Sequence, residues 1–344
     1  MGESSSGPPS RENPRPLVVP EETNGTPLDE WIALHWPGVA KGRLRRLIRE
    51  GSITVGGRTS VPSHRLRAGE VVLVEADLDA LPQVPTASLP LEILHHDPHL
   101  VAINKPAGLP VEPGRWGEHP VVLSGALLDW ARKEGGGRTG SPPPRPRPLH
   151  RLDLGTSGVL LYALDLEAER YYRGLFQAGL VEKVYHALVL GEVREGGVVD
   201  APLAPDPRRG GLMRVVRKGG KASVTEYQPL RIFRGFTLLE VRPRTGRTHQ
   251  IRVHLASVGH PLVVDPRYGG RNALFLSELK LHYHVKPGRP EKALIGRLTL
   301  HARRLRATAF GGGELDLEAS YPKDFRTLLA RMEKWRRAPE DPTR

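Results

Sequence analysis

The 344-residue chain contains no cysteine. Disulfide cross-links, thiol nucleophiles and cysteine-ligated zinc are therefore excluded together. No apolar run approaches the ~20 residues that a membrane-spanning helix needs. The first 25 residues lack the apolar core of a secretory signal, so a cytoplasmic protein with no membrane partner is the expectation. Acidic residues are in the minority, 38 Asp and Glu against 51 Lys and Arg, which leaves a formal charge of +13. Such an excess favours a polyanionic partner, nucleic acid first. An arginine-rich, GC-biased proteome leaves the same mark. The length predicts two domains with ample chain for a core. His95, His96, Asp97 and His99 crowd together, but a strand and turn account for them. No second cluster has matching metal-ligand spacing, so no metal is expected.

Residues 1–25 are rich in Ser, Pro, Gly and charge and read as disordered. A small domain follows over 26–76. Thr26-Pro27-Leu28-Asp29 starts a helix, with Thr as N-cap, Pro at the first position and an acid at the third. Leu28, Trp31, Ile32 and His35 share one face of it. A second helix runs from Lys41 to Glu50, with Leu44, Leu47 and Ile48 on its apolar side and Gly51 as its stop. Lys41, Arg45 and Arg49 recur every four residues on another side, with Arg43 and Arg46 nearby. Taken alone, that basic side is a solvated face. Ser52 to Val55, Gly56-Gly57 and Arg58-Thr59 read as a hairpin, and Val71 to Val74 as a strand. Residues 77–90 hold several prolines, show no period and read as a linker.

Residues 91–330 read as one larger domain, followed by a charged tail over 331–344. Strands are expected at 91–97, 100–104, 159–164, 181–189, 220–227 and 236–241. Helices are expected at 121–133 and 166–178, the second capped by Asp165 and stopped by Gly179. Residues 134–148 read as a Gly/Pro/Arg-rich loop, residues 198–219 as a basic Gly/Pro-rich stretch, and 271–296 remain unassigned. The strand-rich order points to α+β layering.

One stretch organises the rest: His150-Arg151-Leu152-Asp153-Leu154-Gly155-Thr156-Ser157-Gly158. It places a carboxylate in a Gly- and hydroxyl-rich turn at the mouth of a buried strand. Backbone amides and small hydroxyls there can hold Asp153 ionised and aimed. An Asx-turn satisfying only its own backbone has the same pattern. Lys183, Tyr185 and Ala187 alternate onto one strand face. Arg244-Thr245-Gly246-Arg247-Thr248-His249-Gln250-Ile251-Arg252-Val253-His254 lacks the spacing of a phosphate-binding Walker loop. His249 and His254 are five residues apart and fall on different helical faces, unlike a zinc pair.

Together these stretches resemble the RluA-type pseudouridine synthases of the large-subunit ribosomal RNA kind. The likeness runs over about 91–325: HRLDxxTSG at 150–158, KPxGxxV at 105–111, KxYxA at 183–187, a GKxAxT-like segment at 220–225, RTGRTHQxRxH at 244–254 and LHA at 300–302. Gly259-His260-Pro261 and Asp265-Pro266-Arg267-Tyr268-Gly269 continue it. Residues 26–76 are similar to the S4 RNA-binding domain, an α-L-like fold. The resemblance implies a catalytic domain with a large mixed, mainly antiparallel sheet. It implies isomerisation of uridine to pseudouridine in structured RNA, without a cofactor. Asp153 becomes the nucleophile, Arg252 its partner, and Tyr185 a residue that stacks on the base or assists proton transfer. Ile251 packs on the base, and Arg151 fills the gap left in the RNA. Lys105, His150, Thr156 and Arg247 also fall to the substrate. Lys41, Arg43, Arg45, Arg46 and Arg49 lie along RNA phosphates. The implied partner is ribosomal RNA ahead of transfer RNA, acted on by a monomer with no obligate protein partner.

The chemistry asks for these parts. The N1–C1′ bond breaks, the uracil turns, and C5 bonds to C1′; nothing is oxidised or hydrolysed. An ionised carboxylate in a pocket needs a partner to keep its charge. A stacked uracil must be flipped out at a few kcal/mol, which phosphate contacts from Lys and Arg offset. Tyr185 and Ile251 would give the flipped base a surface to rest on. Two other classes stay open at this point. One is a non-catalytic RNA-binding or ribosome-assembly protein. The other is a glycosidase-like hydrolase, which wants a second carboxylate near Asp153.

Overall fold

A computed structural model describes residues 15–83, 88–112, 121–133, 145–284, 288 and 290–337. The chain divides into two compact units, Met1–Leu89 with Glu112–Pro146, and Pro90–Val111 with Arg147–Arg344.

The first unit contains strand β1 (Arg15–Val18), a single 3-10 turn (Glu21–Thr23), helices α1 (Leu28–His35) and α2 (Lys41–Arg49), and strands β2 (Ile53–Val55), β3 (Arg58–Thr59) and β4 (Val71–Val74). Helix α3 (Leu123–Lys133) groups with this unit by contact. The strands form one antiparallel sheet in the order β1-β4-β2-β3. The β2–β3 hairpin turns on Gly56 and Gly57, whose φ of 56° and 74° suit a two-glycine turn. Leu28, Trp31 and Ile32 of α1 and Leu44 and Ile48 of α2 are buried with Ile53 and Val72 of the sheet. The Pro27-first start of α1 is shifted by one: Pro27 is the cap position, and Thr26 makes no capping bond.

Two expectations change here. Residues 15–25 are ordered, not disordered: β1 pairs with β4, and Val19 is buried in the core. Pro16 fits because β1 is an edge strand, where a missing N–H is tolerated. Residues 1–14 lie outside the described residues. The stretch read as linker begins inside the module, since Leu78 is buried in its core and Gln83 bridges Val39.

The second unit is built on strands β5 (Ile93–His96), β6 (Leu100–Lys105), β7 (Arg147–Pro148), β8 (Ser157–Ala163), β9 (Glu182–Leu190) and β10 (Gly197–Asp200). The strands β11 (Leu203–Pro205), β12 (Met213–Val215), β13 (Val224–Phe233), β14 (Phe236–Pro243), β15 (Leu300–Thr308) and β16 (Glu314–Glu318) follow. Its helices are α4 (Leu166–Ala178), α5 (Gln250–Ser257) and α6 (Lys323–Arg336). The main sheet runs β10-β13-β14-β9-β15-β8-β6-β5, with β16 on β15 and β7 on β8. Every pairing is antiparallel except β15 with β8. The architecture is therefore α+β with a large mixed, mainly antiparallel sheet.

Local signals explain several of these elements. Every residue of β8 is buried, as its apolar run requires. In α4 the Asp165 side chain accepts from the Ala168 amide at 2.8 Å, and Gly179 closes the helix at φ 72°. The parallel contact of β15 with β8 depends on Gly158. A Cβ at that glycine would lie 2.1 Å from the Ala302 carbonyl oxygen. Two sequence motifs, the turn at 150–158 and LHA at 300–302, thus meet backbone to backbone.

The stretch at 198–219 carries strands that its Gly/Pro content concealed: β10 joins the main sheet, and β11 and β12 form a separate two-stranded ribbon. The charged tail starts later than expected. Helix α6 continues to Arg336 and buries Met332 alongside Phe325 and Leu328. In the unassigned 271–296 stretch, Leu274, Leu279 and Ile295 belong to the same core cluster.

Three histidines are held in their neutral form, His301 in the core and His150 and His186 half-buried. Burial lowers the pKa of His150 to about 3, helped by Lys183. Burial and nearby cations lower His186 and His301 to about 4. As pH falls below about 6.5, the unfolded chain takes up protons that the folded chain refuses. Stability is therefore complete near neutrality and declines toward pH 4, by at most about 1.4 kcal/mol per pH unit for each histidine. Urea unfolding at pH 7.5 and pH 5 should show a clearly lower midpoint at pH 5. An unchanged midpoint would mean that these rings titrate freely.

Candidate active site

The turn that carries Asp153 is held by its neighbours. The Thr156 amide donates to the Asp153 carbonyl at 3.0 Å. The Leu154 carbonyl accepts from the Gly108 amide at 2.8 Å and from Lys105 Nζ at 3.3 Å. Lys105 also donates to the Pro106 carbonyl at 2.8 Å and is fully buried. Burial lowers its pKa to about 8 against the pull of the Asp153 charge. Lys105, which the resemblance gives to the substrate, is thus enclosed by its own loop. It clamps the loop from behind.

Helix α5 supplies the partner. Arg252 NH1 donates to Asp153 Oδ2 at 2.8 Å. Its other edge makes a two-pronged contact with Asp265, Nε to Oδ2 at 2.7 Å and NH2 to Oδ1 at 2.8 Å. The guanidinium lies over the Tyr268 ring, 5.0 Å from its centre. Asp265 is fully buried. Burial works to raise its pKa, but the Arg252 bonds and charge, with the Arg267 and Tyr268 amides, hold it below the ordinary range. The two carboxylates therefore differ. The Asp153 side chain is 25% exposed against 1% for Asp265. Asp265 fixes the guanidinium plane, and Asp153 is bound through one oxygen and open on its other side.

An apolar wall stands beside this pair. Ile251 is buried in a cluster with Leu255, Leu298 and Leu300, and Tyr185 and Tyr227 pack against it. Tyr185 is half-buried on β9 between its partners Val241 and Ala302. Burial and the Asp153 charge push its hydroxyl well above the usual tyrosine range. It is a neutral hydroxyl able to donate, not a phenolate. Tyr185→Phe keeps the ring and deletes that donor. Single-turnover rates should fall about 100-fold or more, within the range of acid–base contributions, at unchanged RNA affinity. A near-normal rate would leave the ring as the useful part.

Other expected site residues scatter. Arg151 is exposed. His150 faces the core: its Nε2 accepts from the Leu161 amide at 3.2 Å and its ring lies 5.0 Å from that of Phe176. Thr156 is 1% exposed, so its hydroxyl is not presented to a substrate. Arg247 is exposed and donates to the Ala222 carbonyl at 3.2 Å. In the first unit, Lys41 and Arg45 are engaged. Arg45 Nε donates to Asp29 at 2.6 Å, and Lys41 pairs with Asp29 at 3.5 Å and with Glu30. Those acids are buried, so these two cations serve the fold. Arg46 pairs with Glu50 at 2.7 Å. Arg43, Arg46 and Arg49 are exposed. His95 pairs with Asp97 at 2.8 Å and His99 with Asp165 at 2.6 Å.

Asp265, Tyr268 and His249 were not assigned roles from the sequence. His249 Nδ1 lies 2.9 Å from the Tyr268 hydroxyl, and its Nε2 lies 4.0 Å from Asp153 Oδ1. The available signal was the Asp265-Pro266-Arg267-Tyr268-Gly269 string, an acid and an aromatic in a tight turn.

The chain carrying this site is similar to known proteins in sequence and in fold. Residues 99–257 match the RNA pseudouridylate synthase family. Over 333 residues the chain is 34% identical to ribosomal large subunit pseudouridine synthase D of Pseudomonas aeruginosa, spanning 94% of this chain and 97% of that protein. It is 36% identical over 329 residues to the protein of the same name in Nitrosomonas europaea, spanning 95% and 90%. A solved structure, human RNA pseudouridylate synthase domain containing 4, aligns with a TM-score of 0.53 at 29% identity, over 70% of this chain and 93% of that one. The chain belongs to the RNA pseudouridylate synthase family.

Proposed function

We propose that the protein isomerises specific uridines of large-subunit ribosomal RNA to pseudouridine in the cytoplasm, as a monomer and without a cofactor. The observation that carries this reading is the 2.8 Å contact between Asp153 and Arg252, with the second oxygen of Asp153 left open. Two routes are available to the carboxylate, attack at C1′ or removal of the C2′ proton. Both need a carboxylate held on one side and free on the other. The flipped uracil rests against Tyr185 and Ile251, loses its bond at N1 and regains one at C5. The C5 proton leaves, N1 gains one, and the product is an isomer of the substrate. Ribosomal RNA is favoured over transfer RNA by the names of the relatives.

A hydrolytic reading would find its second carboxylate in Asp265. That group is fully buried and doubly bonded to Arg252, so it cannot activate water as an inverting or retaining hydrolase requires. The test is incubation of the purified protein with transcribed large-subunit RNA, followed by pseudouridine mapping. One site or a few should convert, and the same sites should be unmodified in RNA from a strain lacking the gene. No conversion by the purified protein, together with unchanged pseudouridine in RNA from the deletion strain, would overturn the reading. Among the described residues no helix is long and apolar enough to cross a membrane.

The first unit is proposed as an S4-like RNA-binding module, with Arg43, Arg46 and Arg49 as its phosphate contacts. Each phosphate neutralised adds roughly 0.7–0.9 to the slope of log affinity against log salt. Replacing these three by Gln should weaken binding to long RNA and flatten the slope by up to about 2–3, with the bound-state rate unchanged. The double change of Lys41 and Arg45 to Gln should instead lower the melting temperature, since it strands Asp29 and Glu30 in the core. An unaltered salt slope in the triple variant would reduce α2 to a solvated face.

A further inference from the structure

His249 is the one residue of the 244–254 stretch whose backbone is forced. Its φ is 55°, left-handed and uncommon for a residue with a Cβ, and it sits at the cap position of α5. A conformation of this kind costs of order 1–3 kcal/mol and persists where the surroundings over-determine it. The ring is nearly enclosed, with 11% of the side chain exposed.

The hydrogen bonds around the ring favour one placement of its proton. The Tyr268 hydroxyl accepts from the Met213 amide at 2.8 Å. Its own proton then needs an acceptor, and among the described residues the group in reach is His249 Nδ1 at 2.9 Å. A neutral imidazole that accepts at Nδ1 carries its proton at Nε2. The ring is neutral because burial lowers its pKa, with Arg252 and Arg267 acting the same way and Asp153 and Asp265 opposing them. The Nε2–H faces Asp153 Oδ1, the oxygen that Arg252 does not hold.

We propose that His249 is a positioning residue for the nucleophile, locked by Tyr268 as the Nε2–H tautomer so that its N–H addresses the free oxygen of Asp153. This rests on the reading of Asp153 as nucleophile. The two oxygens of the carboxylate then have separate tasks: Oδ2 is anchored on Arg252, and Oδ1 is aimed. The 4.0 Å separation is beyond a hydrogen bond, and catalytic bonds that are long without substrate commonly tighten once it binds. The chain of contacts also reaches outward. Met213 belongs to the β11–β12 ribbon, which Arg209 and Arg267 join to the same turn through the carbonyls of Arg267 and Gly211. The aim of the nucleophile is thereby tied to a basic surface ribbon more than fifty residues away in sequence.

The first test does not involve activity. Histidine-labelled protein should show by ¹⁵N NMR an unprotonated Nδ1 and a protonated Nε2 for His249 at pH 7.5, and Tyr268→Phe should erode that preference. A predominant Nδ1–H form in the wild type overturns the proposal and leaves the Asp153 assignment intact. The second test is single-turnover conversion of target RNA. His249→Ala should lower the bound-state rate about 30-fold or more with affinity for RNA within about twofold, because the loss is about 2 kcal/mol of transition-state positioning. His249→Gln, whose amide N–H can reach toward Oδ1, should recover part of that rate, and Tyr268→Phe should fall between wild type and His249→Ala. If Ala and Gln lose rate equally and in step with melting temperature, His249 only supports the fold. If wild-type protein itself converts no uridine, the underlying reading fails, while the tautomer result stands on its own.

Discussion

Asp153→Asn leaves a folded protein that binds its RNA and converts no uridine. The expected loss in single-turnover rate is on the order of a thousandfold or more, about 4 kcal/mol of barrier. The fold survives because Arg252 does not depend on Asp153 for its charge balance. Asp265 holds the guanidinium through two bonds at 2.7 and 2.8 Å, and the Asn amide oxygen can still accept from NH1. Melting temperature and RNA affinity should therefore match those of the wild type. A rate within tenfold of wild type would falsify the assignment of Asp153 as nucleophile.

Removing Arg252 has a different signature. Arg252→Met strands Asp265, which has no exposed surface, as well as unhitching Asp153. Breaking a buried pair at one end costs about 3–5 kcal/mol, so stability and activity fall together. The remedy separates the two effects. Asp265→Asn in the Arg252→Met background removes the buried charge and keeps a carbonyl for the Arg267 and Tyr268 amides, which Asp265 Oδ1 now receives at 2.9 and 3.2 Å. The double variant should regain most of the lost stability, measured by denaturant unfolding, and none of the activity. Recovery of activity as well would show that Arg252 acts only through the fold.

Helix α4 was legible residue by residue, because Asp165 and Gly179 mark its two ends locally. So were β8 and the β2–β3 hairpin, whose signals lie within a few residues. The Asp153–Arg252 contact has no local signal. It joins residues 99 positions apart, and the sequence reached it through family likeness. Asp265 stayed silent for a related reason: nothing in a Pro-containing turn announces that its acid will be buried against a helix. Strand β1 was hidden because its pairing lies with β4, far along the chain, and a four-residue Arg-Pro-Leu-Val segment has no pattern of its own. The end of α6 was hidden by its charges, among which Met332 and Trp335 were the clues. Lys105 fell to the substrate by family likeness, and nothing local in the sequence says that two backbone carbonyls receive its ammonium.

Strand β15 lies between β9 and β8, and that position imposes an order of events on biosynthesis. Asp153 leads into β8 on one side of it, while Arg252 sits on α5, which packs on β13 and β14 on the other. The motifs carrying Asp153 and Arg252 are both translated well before residue 300, and chains emerge from the ribosome at about 5–20 residues per second. For several seconds the nascent protein therefore holds two half-sheets with open edges and no joined site, a state in which unpaired strands invite association. The strand at 300–308 joins the two half-sheets. A chain cut before Leu300 should therefore leave Asp153 and Arg252 on separate half-sheets.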